Sequence, residues 1–376
     1  MIFLDNASTT KVDNDILENF TNYQNKFYFN PGAVYKVSTD IARKIDEIRE
    51  KIVNLLGGDP KGTFIFTGSS TEANNIILNS LVTNNKNEEY VFSKSEHPSV
   101  RNFASKILQE GKKVVLVEEN RDGTINEEDL YSKINKNTKL VSIINVSNET
   151  GVVNNVSKIA GKIKEINPKT FVHSDGVQAL GKIEVCLDNI DFFTISSHKI
   201  YGLKGIAGFY ARNIKLLKPF IIGGGQEFNI RSGTANAPMI FSLLDTIKKA
   251  VKEQHSNYEK VKEINSYLRK RLTKIDNISF NSPQNSSPYI LSFSVIGLNA
   301  ETILNALSEK EIYVGLGSAC SSKKSGNYML EAMNKTKEEI LGNLRISFSK
   351  NTTKQEVEIF FDEFEKEIID KREKLK

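Results

Sequence analysis

The stretch DFFTISSHKIYGLKGIAGFYA, residues 191–211, places a polar, glycine-containing connection between two apolar runs. Both runs, residues 191–196 and 206–211, are rich in β-branched and aromatic residues, which is typical of buried strands. The connection is too short for a crossover helix, which needs about a dozen residues or more. We therefore predict that the two strands pair antiparallel and that Lys199 lies on the turn between them.

Further apolar runs precede this stretch, at residues 63–67, 90–93, 114–118, 140–145 and 171–174. Most are followed by a polar or glycine-bearing turn and then by a segment with a helical pattern. Alternating strands and helices with nearly continuous apolar strands are typical of a mainly parallel sheet covered by helices on both faces. The sequence thus predicts an α/β fold with a mainly parallel seven-stranded sheet.

The pattern changes at Ala237, where a long helical segment begins and is followed by alternating strands and helices. This indicates a second, smaller α+β domain, with its boundary inside the long helix. We predict a large domain at residues 12–255. The smaller domain comprises residues 1–11 and 256–376 and carries a loop at about 316–328.

The composition is that of an ordinary soluble protein, with 376 residues of which 39% are hydrophobic and 26% charged. The net charge of +5 is modest and the signs are mixed along the chain, which favours a solvated surface over a nucleic-acid groove. No apolar stretch has the length of a signal peptide or of a membrane span. We expect a cytoplasmic protein without direct nucleic-acid or membrane partners.

The two cysteines, Cys186 and Cys320, form neither a disulfide framework nor a metal-binding pattern, so a reduced compartment and no metal site are expected. Cys186 lies in IEVCLD and is predicted to fill the core. Cys320 lies among small residues in GLGSACSSKK and is predicted to be an exposed, mobile thiol. Lys323 and Lys324 would stabilise its thiolate.

Polar residues follow several of the predicted strands. In FTGSSTEANN a helix starts at Ser70 and Thr71, where backbone N–H groups and hydroxyls can bind an anion; a helix cap is the alternative. Asp175 follows another strand, where it could hold a cationic ring nitrogen or simply cap a helix. His97 precedes a proline, and Asn148 lies in SNETG; a loop histidine and a turn are the alternatives.

Together these residues match what pyridoxal phosphate needs: a lysine for covalent attachment, an acid for the ring nitrogen, an aromatic ring to stack and a hydroxyl-lined helix start for the phosphate. Arg345, in the apolar segment LRISFS, is suited to bind a carboxylate, although an internal ion pair would also explain it.

The chain resembles the cysteine desulfurases, which belong to the pyridoxal-phosphate fold type I superfamily together with the class V aminotransferases. The resemblance rests on segments along nearly the whole chain: FLDNASTT, FTGSSTEANN, SEHPSV, SNETG, HSDGVQALGK, SSHKIYGLKG, GGGQEFNIRSGT, GSACSS and LRISFS. The GSAC segment resembles the group that has a long, mobile cysteine loop. The resemblance as a whole implies fold type I, with a large domain that binds the cofactor.

The resemblance implies a role for each matched residue. Lys199 would bind the cofactor covalently and move protons, and His97 would stack on its ring. Asp175 would pair with the ring nitrogen, and Gln178 would contact the ring hydroxyl. The phosphate would be held by Ser70, Thr71, Ser196 and His198, with Thr234 reaching in from the other subunit of a homodimer. The substrate carboxylate would be bound by Asn148 and Arg345, and Cys320 would attack the substrate sulfur.

The implied reaction converts L-cysteine to L-alanine and leaves a persulfide on Cys320. An acceptor protein would then take the sulfur for iron–sulfur cluster assembly or tRNA thiolation. NPGAVY replaces the usual N-P-S-S-x-H of the family, and the loop after Cys320 is about one residue shorter than in housekeeping members. The alternatives are selenocysteine lyase or cysteine sulfinate desulfinase activity, or a non-catalytic sulfur carrier that binds partners.

Overall fold

The computed structural model describes residues 1–317 and 327–374. The helices are α1 (Asn14–Lys26), α2 (Lys36–Leu55), α3 (Ser70–Leu81), α4 (Pro98–Gln109), α5 (Glu127–Ser132), α6 (Val156–Ile166), α7 (Ala237–Leu272), α8 (Ala300–Glu309), α9 (Tyr328–Ala332), α10 (Lys337–Leu341) and α11 (Lys354–Lys374). The strands are β1 (Ile2–Phe3), β2 (Thr63–Thr67), β3 (Glu89–Ser93), β4 (Lys113–Val117), β5 (Thr138–Ser142), β6 (Phe171–Asp175), β7 (Phe192–Ser196), β8 (Ala207–Ala211), β9 (Ile278–Phe280), β10 (Ile290–Val295), β11 (Ile312–Tyr313) and β12 (Asn343–Ser347).

The main sheet has seven strands in the order β2-β8-β7-β6-β5-β3-β4. Strand β8 pairs antiparallel with both of its neighbours, and the remaining pairs are parallel. The predicted mainly parallel sheet is therefore confirmed, and so is the antiparallel pairing of β7 with β8. The seven apolar runs correspond to β2 to β8 within one or two residues at most ends.

Both faces of the sheet are covered, as the apolar strands predict. Successive side chains of a strand point to opposite faces. Accordingly, Phe193 belongs to the core on one side of the sheet, together with α2, α6 and the start of α7. Its neighbour Phe192 belongs to the core on the other side, together with α3 and α4. A strand buried on both faces has few polar positions, which explains its largely apolar sequence; its polar residues, Thr194 and Ser196, are buried as well.

The turn after β7 explains the two glycines near Lys199. A short 3₁₀ turn, Ser197–Lys199, leaves the strand, and the chain then folds back towards β8. A Cβ atom at position 202 would lie 2.1 Å from Ser197 Oγ, so only glycine fits there. Gly205 has a φ of +83°, which other residues rarely adopt. This backbone fixes where the lysine leaves the sheet.

A second hydrophobic core joins both ends of the chain. Leu4 and its neighbours in the first segment pack with residues of β10, β12 and α11. Strand β10 lies between β12 and β9 in a three-stranded antiparallel sheet. The C-terminal half of α7 contributes to this core, whereas its N-terminal half contributes to the first one. One helix thus connects the two cores.

The prediction that Cys186 fills the core is wrong, because its side chain is exposed and its sulfur lies 3.3 Å from Ser157 Oγ. The segment between β6 and β7 that carries it contains no strand, so the apolar neighbours do not indicate burial of the cysteine itself. In the described ranges, no helix combines the length and apolar character needed to cross a bilayer. The same residues contain no cluster of His, Cys, Asp and Glu arranged to bind a metal ion.

Candidate active site

A cavity of about 190 Å³ lies where several parallel strands of the main sheet end. This edge is the usual ligand-binding position in open α/β sheets. The cavity is lined by Ala7, Ser8, Ser70, His97, Ile144, Asn148, Asp175, Val177, Gln178, Lys199 and Arg345. Residues predicted from separate segments of the sequence therefore meet in one place.

Lys199 enters the cavity from the turn after β7. Its Nζ donates to the carbonyl oxygens of Ala7 and Ser8, each at 2.6 Å, and not to a carboxylate. Burial lowers the pKa of Lys199 to about 8, and the positive charge of Arg345 adds to this effect. A primary amine with this pKa is partly deprotonated near neutral pH, so it can act as a nucleophile and can move protons.

Asp175, the last residue of β6, lies across the cavity and is only 4% exposed. Its Oδ2 accepts from Asn74 Nδ2 at 2.9 Å, and its Oδ1 accepts from the backbone N–H of Val177 at 3.0 Å. Among the described residues it forms no salt bridge, so its charge has neutral donors as partners. Such a carboxylate is suited to a cationic group in the cavity.

His97 caps the N-terminus of α4, and its ring lines the cavity. Its Nδ1 accepts from the backbone N–H of Ser99 at 3.2 Å and lies 2.8 Å from the hydroxyl of the same residue. Burial lowers its pKa, as does the nearby charge of Lys199, while Asp175 opposes the change. The ring is therefore neutral near pH 7, as a stacking partner for a flat cofactor should be.

Gln178 is held from two sides by buried partners. Its Nε2 donates to the carbonyl oxygen of Ala7 at 2.9 Å, and its Oε1 accepts from Lys182 Nζ. Lys182 is fully buried, and burial lowers its pKa to about 7, with the charge of Lys199 contributing. Because the lysine fixes the oxygen of the amide, the NH₂ group is the part that faces Ala7 and the cavity.

Arg345, on β12, brings a buried cation to the cavity from the second core. Its two terminal nitrogens donate to the carbonyl oxygen of Asn148 at 2.9 Å and to Asp5 at 2.8 Å. Glu149 lies 3.5 Å away, and its charge and that of Asp5 raise the pKa of Arg345 despite burial. The internal ion pair weighed for this arginine is present, but the guanidinium also lines the cavity.

The start of α3 combines a helix cap with a cavity contact. Ser69 is the cap, since its hydroxyl accepts from the backbone N–H of Glu72 at 3.1 Å. Ser70 lines the cavity. The Glu72 carboxylate accepts from the N–H of Gly68 and from Arg231 Nε, both at 2.7 Å. Because Ser70 is the first residue of α3 and lines the cavity, the N-terminus of this helix borders it, as an anion site requires.

Some predicted residues do not line the cavity. Thr71 and Thr234 are exposed, and Ser196 is buried at the end of β7. His198 contacts Thr9, and burial lowers its pKa to about 4. Cys320 lies outside the described residues.

The cavity also depends on residues that the sequence patterns do not single out. The carbonyl oxygens of Ala7 and Ser8 accept from Lys199, and that of Ala7 also accepts from Gln178. Asn74 donates to Asp175, and Lys182 donates to Gln178. The repeated small and hydroxyl residues of FLDNASTT are the only sequence signal of the first pair. Asn74 and Lys182 look like ordinary helical or surface residues.

Comparisons with known proteins agree with this geometry. Residues 2–360 match the family described as Aminotransferase class-V. A NifS/IcsS protein homolog of Lactobacillus delbrueckii subsp. bulgaricus is 30% identical, covering 97% of this chain and 96% of the relative. Cysteine desulfurase IscS of Dictyoglomus turgidum is 30% identical, covering 98% and 95%.

Solved structures give the same result. A NifS-like protein superposes with a TM-score of 0.91 at 30% identity, covering 98% of this chain and 99% of that structure. A NifS-like protein from Rickettsia africae superposes with a TM-score of 0.87 at 29% identity, covering 97% and 99%. The predicted pyridoxal-phosphate fold type I is confirmed. The chain belongs to the aminotransferase class-V family.

Proposed function

We propose that this protein is a pyridoxal-phosphate-dependent cysteine desulfurase that takes sulfur from L-cysteine and passes it to acceptor proteins. The observation that carries the proposal is the cavity in which Lys199, Asp175 and His97 meet. Its support outside the chain is the similarity over nearly the full length to relatives named cysteine desulfurase.

The residues of the cavity fit pyridoxal phosphate. The Asp175 carboxylate receives two neutral hydrogen bonds and, within the described residues, no salt bridge, which suits a protonated ring nitrogen. The start of α3, with Ser70, suits the phosphate. We assign Thr71, Ser196 and His198 to the phosphate as well, and Thr234 to that of the other subunit. When bound, this cofactor withdraws electrons from the substrate carbon.

Three side chains act on the cofactor and the substrate carbon. Lys199 Nζ attaches the cofactor and then moves a proton, for which its lowered pKa of about 8 is suitable. His97 stacks on one face of the ring. Gln178 presents its NH₂ group to the ring hydroxyl, because its oxygen is engaged by Lys182. Polar contacts of these three side chains are stronger in the cavity than in water, because the effective dielectric constant is lower there.

Asn148 and Arg345 bind the substrate carboxylate in this proposal. Arg345 Nε has no hydrogen-bond partner in the part of the chain that the structure describes, although it is buried. Asn148 Nδ2 donates one hydrogen to Glu149 Oε1 at 2.7 Å, so its second hydrogen is the one that can bind a carboxylate. A guanidinium already fixed by Asp5 loses little further conformational entropy when a carboxylate binds. The pair would therefore orient the amino acid.

Cys320 is the proposed nucleophile. Its thiolate forms a bond to the substrate sulfur while the carbon–sulfur bond of the substrate breaks. The electron pair of that bond goes to the carbon, which then takes up a proton, so that alanine leaves and a persulfide stays on Cys320. Lys323 and Lys324 support this proposal, because nearby positive charge stabilises a thiolate.

We further propose a homodimer. Support comes from apolar residues that the described chain leaves exposed in two segments, residues 28–37 and 220–228. Val34 is 93% exposed and Ile222 is 90% exposed. Such side chains are usually covered by a protein partner when they form a patch.

The proposed domains are residues 12–255, and residues 1–11 with 256–376 including the loop at about 316–328. The separation of the two hydrophobic cores supports this division.

The similarity of the cysteine segment to other desulfurases supports an acceptor in iron–sulfur assembly or tRNA thiolation. The proposed location is the cytoplasm, supported by the absence of a disulfide framework in the sequence.

The direct test is the reaction of purified protein with L-cysteine in the presence of a thiol reductant. We expect alanine and sulfide in equal amounts. The Cys320→Ala variant should lose persulfide formation, whereas Cys186→Ala, the matched control, should retain it. Parallel assays with selenocysteine and cysteine sulfinate separate the related activities. A protein that forms no alanine from L-cysteine would contradict the proposal.

A further inference from the structure

Asn74, on α3, connects Asp175 and His97, two of the residues proposed to contact the cofactor ring. It is fully buried, and its Nδ2 donates to Asp175 Oδ2 and to Ser99 Oγ, each at 2.9 Å. An amide NH₂ group has two hydrogen atoms, so both contacts can form at once. The side-chain oxygen of Asn74 must then point to the opposite side.

The contact with Ser99 extends to His97. The hydroxyl of Ser99 accepts from Asn74, so its own hydrogen is free for His97 Nδ1, 2.8 Å away. His97 Nδ1 also accepts from the backbone N–H of Ser99. A neutral imidazole with an accepting Nδ1 carries its proton on Nε2. One amide thus holds the acid and leaves the Ser99 hydroxyl hydrogen to the ring, whose tautomer the Ser99 N–H also requires.

The oxygen of Asn74 is oriented by a histidine behind it. Asn74 Oδ1 lies 3.2 Å from His173 Nε2, and this contact is a hydrogen bond only if Nε2 carries a proton. His173 is fully buried, and burial lowers its pKa to about 4, so the ring is neutral. Its other nitrogen, Nδ1, must therefore accept a hydrogen bond.

The donor to His173 Nδ1 is Ser142 Oγ, 2.9 Å away. A serine hydroxyl has one hydrogen, so Ser142 cannot also donate to Glu96 Oε1, which lies 3.2 Å from it. That second contact is favourable only if Glu96 carries a proton and donates. Burial raises the pKa of Glu96 to about 8, and the charge of Asp175 adds to this effect. Each group thus donates to the next, from Glu96 to Ser142, from Ser142 to His173 and from His173 to Asn74.

We propose that Asn74 is a positioning residue that holds Asp175 and His97 in place against the cofactor ring, and that a buried hydrogen-bond chain from a protonated Glu96 through Ser142 and His173 fixes its orientation. The proposal deepens the proposed function and rests on it for the roles of Asp175 and His97. If Asn74 turned its amide around, its oxygen would face the Asp175 carboxylate and repel it. The chain prevents this reversal.

The tautomers can be read by imidazole ¹⁵N NMR of the cofactor-free protein, which has only four histidines. We expect His97 and His173 to be neutral, with the proton on Nε2 in both. In Asn74→Leu, the His97 Nδ1 signal should shift, because the Ser99 hydroxyl is no longer held by Asn74, while the Ser99 N–H keeps the proton on Nε2. Asn79→Leu is the matched control, since Asn79 lies on the same helix and its amide donates to the backbone oxygen of Asn75. It should give the parent spectrum.

Glu96 provides the second arm of the test. The amide of Glu96→Gln can donate to Ser142 as the protonated acid does, so this variant should keep the His173 tautomer. In the cofactor-loaded enzyme, Asn74→Leu should lower kcat about tenfold or more with little change in KM, because a buried hydrogen bond to a charged group is lost.

A proton on Nδ1 of His173 in the parent protein would overturn the proposal, whether or not any variant folds. Loss of the His173 tautomer in Glu96→Gln, or parent-like spectra and kcat in Asn74→Leu, would overturn it too. These outcomes are distinct from failure of the proposed function. That failure would appear as no alanine from the parent enzyme, while the NMR result stays as expected.

Discussion

Replacement of the buried Lys182 by methionine should stabilise the cofactor-free protein near neutral pH and destabilise it slightly at high pH. Lys182 is 4% exposed, and its Nζ bonds to the neutral oxygen of Gln178. No salt bridge of this lysine occurs within residues 1–317 and 327–374. The charged ammonium is therefore buried without a compensating carboxylate, which is unfavourable. Methionine has a similar shape and no charge.

The magnitude follows from the pKa. Burial lowers the pKa of Lys182 from 10.5 to about 7, which at 1.36 kcal/mol per pH unit corresponds to about 5 kcal/mol against the charged form. This cost is present in full below about pH 7 and disappears as the pH rises to the unfolded-state value of 10.5. The variant loses a hydrogen bond that contributes about 2 kcal/mol. The net gain near pH 6 should be about 3 kcal/mol.

The assay is urea unfolding of the cofactor-free protein followed by circular dichroism, at about pH 6 and about pH 10. Lys182→Met should have the higher urea midpoint at the lower pH and the lower midpoint at the higher pH. Lys162→Met is the matched control: its side chain is 53% exposed, and it should follow the parent at both values. A midpoint difference that is the same at both pH values would refute the reasoning.

Three other changes test the site and the surface. Asp175→Asn should weaken cofactor retention on gel filtration and lower kcat about tenfold or more, because the ring nitrogen loses its ionic partner; full retention with parent kcat would contradict its role. Arg345→Lys should raise KM for L-cysteine about tenfold, since a point charge replaces a two-pronged donor, and an unchanged KM would rule out carboxylate binding. Ile222→Glu should give monomers in sedimentation experiments, because it places a charge on the proposed dimer surface; a persisting dimer would remove this segment from the interface.

The fold could be predicted from sequence because its strands are buried on both faces. A run such as residues 191–196 is largely apolar for that reason, and its position in the structure differs by one residue at most. The antiparallel β7–β8 pair was predictable because the connection between the two strands is too short for a crossover helix. Asp175 was identifiable because it directly follows such a run, and Lys199 because it lies on the short turn after one.

The contacts around the site could not be predicted in the same way. Asn74 and Asp175 are 101 residues apart, and neither local pattern indicates that they meet. Lys182 follows a helical-looking segment, where a lysine is normally solvent-exposed. Cys186 has apolar neighbours but lies outside any strand, so its exposure depends on how an irregular segment crosses the surface. Tertiary packing decides all three.

The central claim is that the amine at position 199 carries the cofactor. Purified cofactor-loaded protein should be treated with borohydride, digested and analysed by mass spectrometry. We predict a pyridoxyl adduct on the peptide that contains Lys199 and its absence from the Lys199→Ala variant. An adduct at Lys182 instead, or no adduct on any lysine of a protein that retains the cofactor, would contradict the account.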